Sequence, residues 1–473
     1  MISFSYPIIR YAALRYLVIN TRYHHQAGNV YLITILPLGA DESAARPARL
    51  AIEMKIPRIS LITSQSGTAR AAIEQRGLQM RVMKRNLLIG GATAALLVTA
   101  IVPALASTSG RSNAKGGGSV SSILQTGDIV TGVRGTTNGN VILTGSAATG
   151  SGTQTKPFLY QGRLTSAAAG AAAAVSELTP SFPDVTSATF YGPDTHSFNT
   201  TIPSGQVRAV GSYQSSSSPA GVINQGMIYL GPVSGSGGSW TSIDVPADGT
   251  NTVGHVRACP KVQVKCFVMD TIPHSTMGDL VVGDYDLNPS VVGGVISANA
   301  FIYNMSRNRW TLLDLGGSRS NQTTLYAIWQ DGGGKSTIYT LAGGSKASGV
   351  QRAFLMNYNE RTQTFGKPKY FSYGNAPALV THFEGITAVS GGFHVVAISS
   401  AQEASMAFVP ASIRHGSFGA ARWYPANVAT SSLCPDGCSI VTGNTVYGNQ
   451  VMGLYIPTGT TAPHTYLATV SGQ

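Results

Sequence analysis

The run Asp279-Leu-Val-Val-Gly-Asp-Tyr285, followed after a loop by Ala300-Phe-Ile-Tyr303 and then by Arg309-Trp-Thr-Leu-Leu-Asp-Leu315, decides the fold. Each run is short, rich in β-branched and aromatic residues and bounded by Gly, Asn, Asp or Ser, as strands are. The same order stands upstream, in Val207-Arg-Ala-Val-Gly-Ser-Tyr213, Gly226-Met-Ile-Tyr229 and Trp240-Thr-Ser-Ile-Asp-Val-Pro246. Downstream it returns in Thr337-Ile-Tyr-Thr-Leu-Ala-Gly343, Ala353-Phe-Leu-Met356 and Lys369-Tyr-Phe-Ser-Tyr373, then in the segments 394–399, 407–409 and 422–424. The first copy is Val141-Ile-Leu-Thr-Gly145 with Pro157-Phe-Leu-Tyr160, and a further apolar run such as Ala188-Thr-Phe-Tyr-Gly192 precedes each copy. Four strands per unit result. One small twisted sheet cannot bury both its faces until neighbours pack on it, so such units in series read as blades. Residues 128–473 hold about six of them at a kelch-like period of roughly 50–60 residues. The last unit offers only the runs 439–446, 450–456 and 465–470, and the apolar stretch Val120 to Leu124 is the natural fourth strand, closing the ring and covering an exposed edge. The fold class is all-β, a single β-propeller of about six four-stranded blades.

The combination of Val-Val-Gly-x-Tyr, Ala-Phe-Ile-Tyr and Trp-Thr-Leu-Leu-Asp resembles the extracellular HAF-type repeat, named for its His-Ala-Phe core. The likeness covers 207–315 well and the other copies loosely. It implies a secreted, propeller-like protein without a settled activity. Asn299, Arg352 and Met406 stand where the family has its His, so no role tied to that residue carries over. Tyr303 followed by Trp310, after Gly293-Gly294, is also similar to kelch repeats.

Charge and cysteine speak to compartment. The net charge of +12 is concentrated at the front, where residues 1–85 carry 12 of the 32 Lys+Arg and 4 of the 20 Asp+Glu. The body has scattered basic residues without a basic stripe, which argues against a nucleic-acid partner. From Met80 a basic segment, an uncharged run from Leu87 to Val102 and Pro-Ala-Leu-Ala106 follow in the order of a signal peptide, with cleavage expected after Ala106. Residues 1–79 then read as a mis-called start or a disordered extension. The alternative keeps 87–106 as an uncleaved anchor, the one route to a membrane partner, with the propeller outside. Residues 107–127 read as a Ser/Gly-rich linker ending in the closing strand. Cys259 with Cys266 and Cys434 with Cys438 are near neighbours, and an oxidising compartment lets each pair staple its own loop at about 2–3 kcal/mol. The protein is expected to be secreted or periplasmic.

Candidate sites are sparse. His382-Phe-Glu384 places an imidazole and a carboxylate on one side of a strand, and on an innermost strand they would face the ring axis, where His255 from another unit would complete a catalytic set. Tyr191, Tyr285 and Tyr447, beside turn residues, are candidate binding residues for a glycan or partner protein. Asp284, Asp286 and Asn288 have the i, i+2, i+4 spacing of a Ca²⁺ loop, but Pro289 and Val295 stand where the glycine and the last acid belong. Ordinary turn chemistry explains them equally, and no other cofactor is implied. Trp240, Trp310 and Trp423 recur at one structural position, which favours packing between blades over sugar stacking. No Gly-x-Ser-x-Gly elbow, phosphate loop or His-Glu-x-x-His motif occurs.

The expected function is an exported binding or scaffold module whose ligand is a glycan or surface protein. The alternative is a carbohydrate-active enzyme with acids at the channel mouth. An enzyme should bring His and carboxylates from several blades together, with Asp184, Asp248, Asp279 and Glu384 as the acids to locate. A binding module should show aromatics and amides there, without a shielded carboxylate pair.

Overall fold

The structure is a computed structural model. It describes residues 16–25, 28–37, 48–53, 119–149, 154–167, 175–259, 266–288, 298–315, 322–347, 350–373, 381–399, 404–412 and 416–471. The proposed signal peptide and anchor segment lies outside them. Residues 1–104 form one unit and 105–473 another. The first contains a three-stranded antiparallel sheet, β1 (Tyr16–His25), β2 (Gly28–Pro37) and β3 (Ala48–Glu53). Among the described residues no helix is long and apolar enough to cross a membrane.

The second unit is a six-bladed β-propeller of small antiparallel sheets. Blade one is β5 (Ile129–Gly135), β6 (Val141–Ala148), β7 (Thr155–Gly162) and the short β8 (Ser176–Glu177). Blade two is β9 (Val185–Thr195), β10 (Gln206–Ser215), β11 (Gln225–Pro232) and β12 (Ser239–Ile243). Blade three is β13 (Val268–Met277), β14 (Leu280–Leu287), β15 (Ala298–Asn304) and β16 (Arg309–Leu313). Blade four is β17 (Thr323–Gln330), β18 (Ile338–Ser345) and β19 (Arg352–Asn359), with the fragments β20 (Thr364–Phe365) and β21 (Lys369–Phe371) on its outer edge. Blade five is β22 (Thr381–Val389), β23 (Gly392–Ser399) and β24 (Ala404–Ser412), edged by β25 (Ser417–Phe418) and β26 (Arg422–Pro425). Blade six is β27 (Cys438–Tyr447), β28 (Gln450–Pro457) and β29 (His464–Thr469).

The expected closure is present. Strand β4 (Val120–Ile123) pairs antiparallel with β29, from Thr465 opposite Ile123 to Ala468 opposite Val120. It supplies the strand that the C-terminal sequence lacks and removes an open edge. Each innermost strand contacts that of the next blade, and β27 returns to β5, so the ring closes around an axis. Apolar side chains fill the spaces between blades. Leu280, Val282 and Ile302 of blade three, for example, pack with Leu325, Leu341 and Phe354 of blade four. The tryptophans belong to these clusters between blades, Trp240 with Ile142 of blade one, Trp310 with Ile228 of blade two and Trp423 with Leu355 of blade four, and within its own blade each lies on an aromatic ring, Trp240 stacking on Phe190 at 5.6 Å.

The repeat's glycine has a specific cause. In five blades the second strand carries it, as Gly145, Gly211, Gly283, Gly343 and Gly453, directly against the innermost strand. A β-carbon there would lie 1.8 to 2.2 Å from an innermost-strand carbonyl oxygen, such as that of Ile272 for Gly283. The close approach accompanies a β-bulge in each innermost strand, one residue beyond the glycine's partner, which leaves that residue unpaired and redirects its side chain. Blade five has the bulge with Ala397 in the glycine's place.

Candidate active site in the central channel

The six bulged residues are Thr131, Tyr191, His274, Tyr326, Glu384 and Asn444, one per blade. Every one is polar and partly exposed, while the residue on each side of it is buried. The six side chains thus form a ring of partly exposed groups on the innermost strands, each between two buried neighbours. The residue after the bulge is small, and Gly132 and Gly192 show why: a β-carbon on Gly132 would lie 2.0 Å from the Tyr191 carbonyl oxygen, and one on Gly192 would lie 2.7 Å from that of His274. The bulge of each blade therefore nests against the small residue of the blade before it, which sets the six side chains at a common register position.

Their contacts run around the axis. The Tyr191 ring lies 4.8 Å from His274, His274 lies 4.4 Å from Tyr326, and Tyr326 lies 5.3 Å from His382, linking blades two to five. His382 stands two residues before the bulge, and its Nε2 is 2.6 Å from Glu384 Oε1 in hydrogen-bond geometry. His274 Nε2 approaches Asp284 Oδ1 of β14 equally closely, at 2.6 Å, but at an angle that does not make a hydrogen bond. Close approach without alignment makes that contact a charge pair when the imidazole is protonated, and His382–Glu384 is the better-formed couple. Burial pushes the Tyr191 phenol up to about 12, with the negative charges of Asp284, Asp270 and Glu384 adding to it against a hydrogen bond with Ser212. Burial likewise holds Tyr326 well above the ordinary phenol range, aided by Asp284 and Glu384. Both phenols are thus neutral at physiological pH, available as donors and as flat apolar faces.

Three residues beyond the bulge, one side chain spans several blades. Arg134 of β5 donates through Nε to the Pro193 carbonyl (3.2 Å) and through Nη2 to that of Thr276 (3.4 Å). Its guanidinium also lies over the rings of Trp329 (5.2 Å) and Phe198 (5.7 Å). One side chain from blade one thereby reaches blades two, three and four, across the axis. Nearby, Asp194 is pushed up to about 6 because burial outweighs the opposing pull of Arg134 and Arg208.

The sequence candidates are sorted by this geometry. His382 and Glu384 are on an innermost strand and in contact. His255 is not with them: it sits exposed on a short turn, Val253–His255, beside β16 at the outer edge of blade three. Tyr191 is in the ring, whereas Tyr285 is buried in the core with Val281 and Phe301, and Tyr447 packs against the blade-one core at the far end of β27. Asp284 and Asp286 belong to strand β14 and not to a loop, so their side chains stand about 6–7 Å apart along one face instead of converging on an ion. The Asn288 side chain is occupied, accepting from the Phe267 amide at 3.0 Å. Among the described residues no cluster of three or more His, Cys, Asp or Glu fits a metal. Of the four acids singled out, only Glu384 reaches the channel: Asp184 precedes β9 and Asp248 caps a turn, both exposed, and Asp279 sits in the hairpin turn after β13. His274, Tyr326 and Asp284 complete the site. The signal for them is an apolar-x-small triplet, as in Pro273-His-Ser275, Leu325-Tyr-Ala327 and Phe383-Glu-Gly385, preceding a Val-x-Gly-type strand.

Both local disulfides, Cys259–Cys266 and Cys434–Cys438, are formed, and among the described residues no cysteine is free. They point to an oxidising compartment.

No family model matches the chain, and no curated protein matches it. Among solved structures it is similar to a luciferin-regenerating enzyme, with 10% identity, 76% of this chain and 98% of that one covered, and a TM-score of 0.39. An α-L-arabinofuranosidase from Fusarium graminearum, in complex with an iminosugar inhibitor, gives 10% identity, 74% and 97% coverage and a TM-score of 0.38. The sialidase of Trypanosoma rangeli, in complex with sialic acid, gives 8% identity and a TM-score of 0.42, and the match takes in 74% of this chain and 55% of the sialidase chain. These are likenesses of fold alone, between this propeller and other proteins.

Proposed function

We propose that the protein is an exported propeller that performs acid–base chemistry on a carbohydrate bound in its central channel. The observation that supports this most is the ring of six polar bulged residues carrying two imidazole–carboxylate contacts, His382–Glu384 and His274–Asp284, from neighbouring regions of the wall. In this reading Glu384 exchanges the proton with the reacting oxygen, and His382, held at 2.6 Å, orients it and shares its charge. Tyr191 and Tyr326 offer faces for a sugar ring and phenolic donors for its hydroxyls. Arg134, held by carbonyls of blades two and three, sets a cation and its donors on the inner side of the ring. The two disulfides agree with export.

The test is release of reducing ends from a panel of plant, microbial and animal oligosaccharides by the purified protein, beside Glu384→Gln. Turnover should fall by about 10²–10⁴-fold in the variant while retention on the cognate glycan persists. Glycan binding without turnover in the wild type, unchanged by Glu384→Gln, would instead support a glycan-binding module. Absence of both would leave a protein partner as the reading to pursue.

A further inference from the structure

A second concave site lies away from the channel. Between the outer strands of blades two and three is a cleft of about 250 Å³ whose lining includes Ile243, Asp244, Asn251, Tyr303, Asn308 and Trp310. Ile243, Tyr303 and Trp310 are buried and make its floor, whereas Asp244, Asn251 and Asn308 are exposed and make its walls. The floor is set by packing, because Trp310 sits against Tyr303 and Phe301 in the core between the two blades. The walls are set by the backbone. Asn251 and Asn308 occupy left-handed positions, φ 54° and 48°, which asparagine tolerates better than most residues, and the Trp310 amide donates to the Asn251 carbonyl at 2.8 Å.

The hydrogen-bonding sense of the walls is fixed as well. Tyr303 donates its hydroxyl to Asn308 Oδ1 at 3.0 Å, which leaves the Asn308 amide NH₂ as a donor. Asp244 accepts only long bonds, 3.3 Å each, from Gln225 Nε2 and the Gly226 amide, so its carboxylate retains acceptor capacity. No Lys, Arg or His lines the cleft, and its one charge is negative. Apolar floor, a carboxylate acceptor beside an amide donor, and no cation are what the faces and vicinal hydroxyls of a neutral sugar require, while an acidic sugar would be repelled. The volume lies just below the range of drug-sized pockets and suits a single ring.

We propose that this cleft is a second, non-catalytic binding site for a neutral sugar residue, independent of the channel. The test is saturation-transfer NMR and titration of the purified protein with methyl glycosides of glucose, galactose and mannose, and with galacturonate as the acidic control. The variants are Asp244→Ala, Asn308→Ala and Glu384→Gln. At least one neutral glycoside should bind the wild type and Glu384→Gln alike, Asp244→Ala and Asn308→Ala should each weaken it tenfold or more, and galacturonate should not bind. Asn308→Ala sits on an exposed turn, and thermal melts of both rim variants keep loss of binding distinct from loss of fold. Binding that survives both rim substitutions undiminished would overturn this inference and leave the channel reading standing. Binding of galacturonate as tight as that of the neutral glycosides, or no neutral glycoside bound, would overturn it too.

Discussion

Replacement of Gly283 by Ala tests whether the repeat's glycine exists to admit the bulge. A methyl there would lie 2.2 Å from the Ile272 carbonyl oxygen and 2.8 Å from Phe301 Cζ, about 1 Å inside ordinary contact on the first count. The first neighbour is backbone and the second is the tip of a fully buried ring, so the two strands must separate, at an overpacking cost of about 1–3 kcal/mol. With an unfolding entropy of about 2.1 cal/mol/K per residue over a unit of roughly 350 residues, that lowers the melting temperature by about 1.5–4 °C. The sign discriminates. Gly283 does not adopt a left-handed conformation, and a substitution of Gly by Ala without collision would stabilise by about 0.4–1 kcal/mol through the unfolded chain. Calorimetric melts should therefore show Gly283→Ala below wild type. A melting temperature equal to or above wild type would refute the collision argument. Ala397, which holds the same position in blade five, supplies the control: its replacement by Gly should destabilise slightly, by loss of a buried methyl and gain of chain entropy.

Three further outcomes are expected. Asp331 is buried and its carboxyl is pushed up to about 7 by desolvation against hydrogen bonds from Thr340 and Asn357, so the stability it allows is complete below its unfolded value near 3.8 and is lost as pH rises through about 7. Asp331→Asn should therefore gain stability over wild type by a few kcal/mol, as an order of magnitude, in urea melts at pH 8 and little or nothing at pH 4. Deletion of residues 119–124 exposes the edge of β29 and removes the pairing of Thr469 with Ser119, so size-exclusion chromatography should show association or loss of the monomer, reversed by a synthetic peptide of that segment. His382→Ala removes the partner held at 2.6 Å from Glu384, and steady-state kinetics on any channel substrate should show kcat falling by about 10–100-fold with KM little changed, as loss of an orienting residue would.

Much of the propeller was legible because a blade is a local object. The alternation and turn residues of 279–315 announce three strands in a row, and a missing fourth strand in the last unit leaves Val120 to Leu124 with one place to go. The pairing of near-neighbour cysteines is local in the same sense. The site was legible only in the His382–Glu384 couple, whose two members share a strand. His274–Asp284 joins two strands beside the bulge of β13, a contact that no single run of sequence displays, and Asp284 looked like a loop ligand and Tyr285 like a face residue because β14 runs on to Leu287, through the Asp residues that suggested a turn; one lines the site and the other is core. His255 failed for a different reason: its turn packs on an outer strand, and distance from the axis has no signature in sequence.

The bulge ring also bears on how such a fold can host chemistry. The residue at the bulge is left out of the strand pairing, and the chain uses Thr, Tyr, His, Tyr, Glu and Asn there in turn; Thr131, which donates to the Phe190 carbonyl, and Asn444, which donates to that of Val130, also tie one blade to the next. Its position, in contrast, is tightly held, by the carbonyl approach at the repeat glycine on one side and by the small residue of the preceding blade on the other. Rigid placement with a side chain that changes from blade to blade is what a catalytic or binding constellation needs from a scaffold. It follows that exchanging a bulged residue that faces the other ring members, for example Tyr326→Phe, should alter ligand preference with little change in melting temperature, whereas the equally conservative Gly132→Ala, whose added carbon would lie 2.0 Å from the Tyr191 carbonyl oxygen, should disturb two blades at once. Melting curves and glycan-panel profiles measured on the same variants would separate the two effects, and a bulge variant that unfolds as readily as Gly132→Ala would show that the ring is part of the core after all.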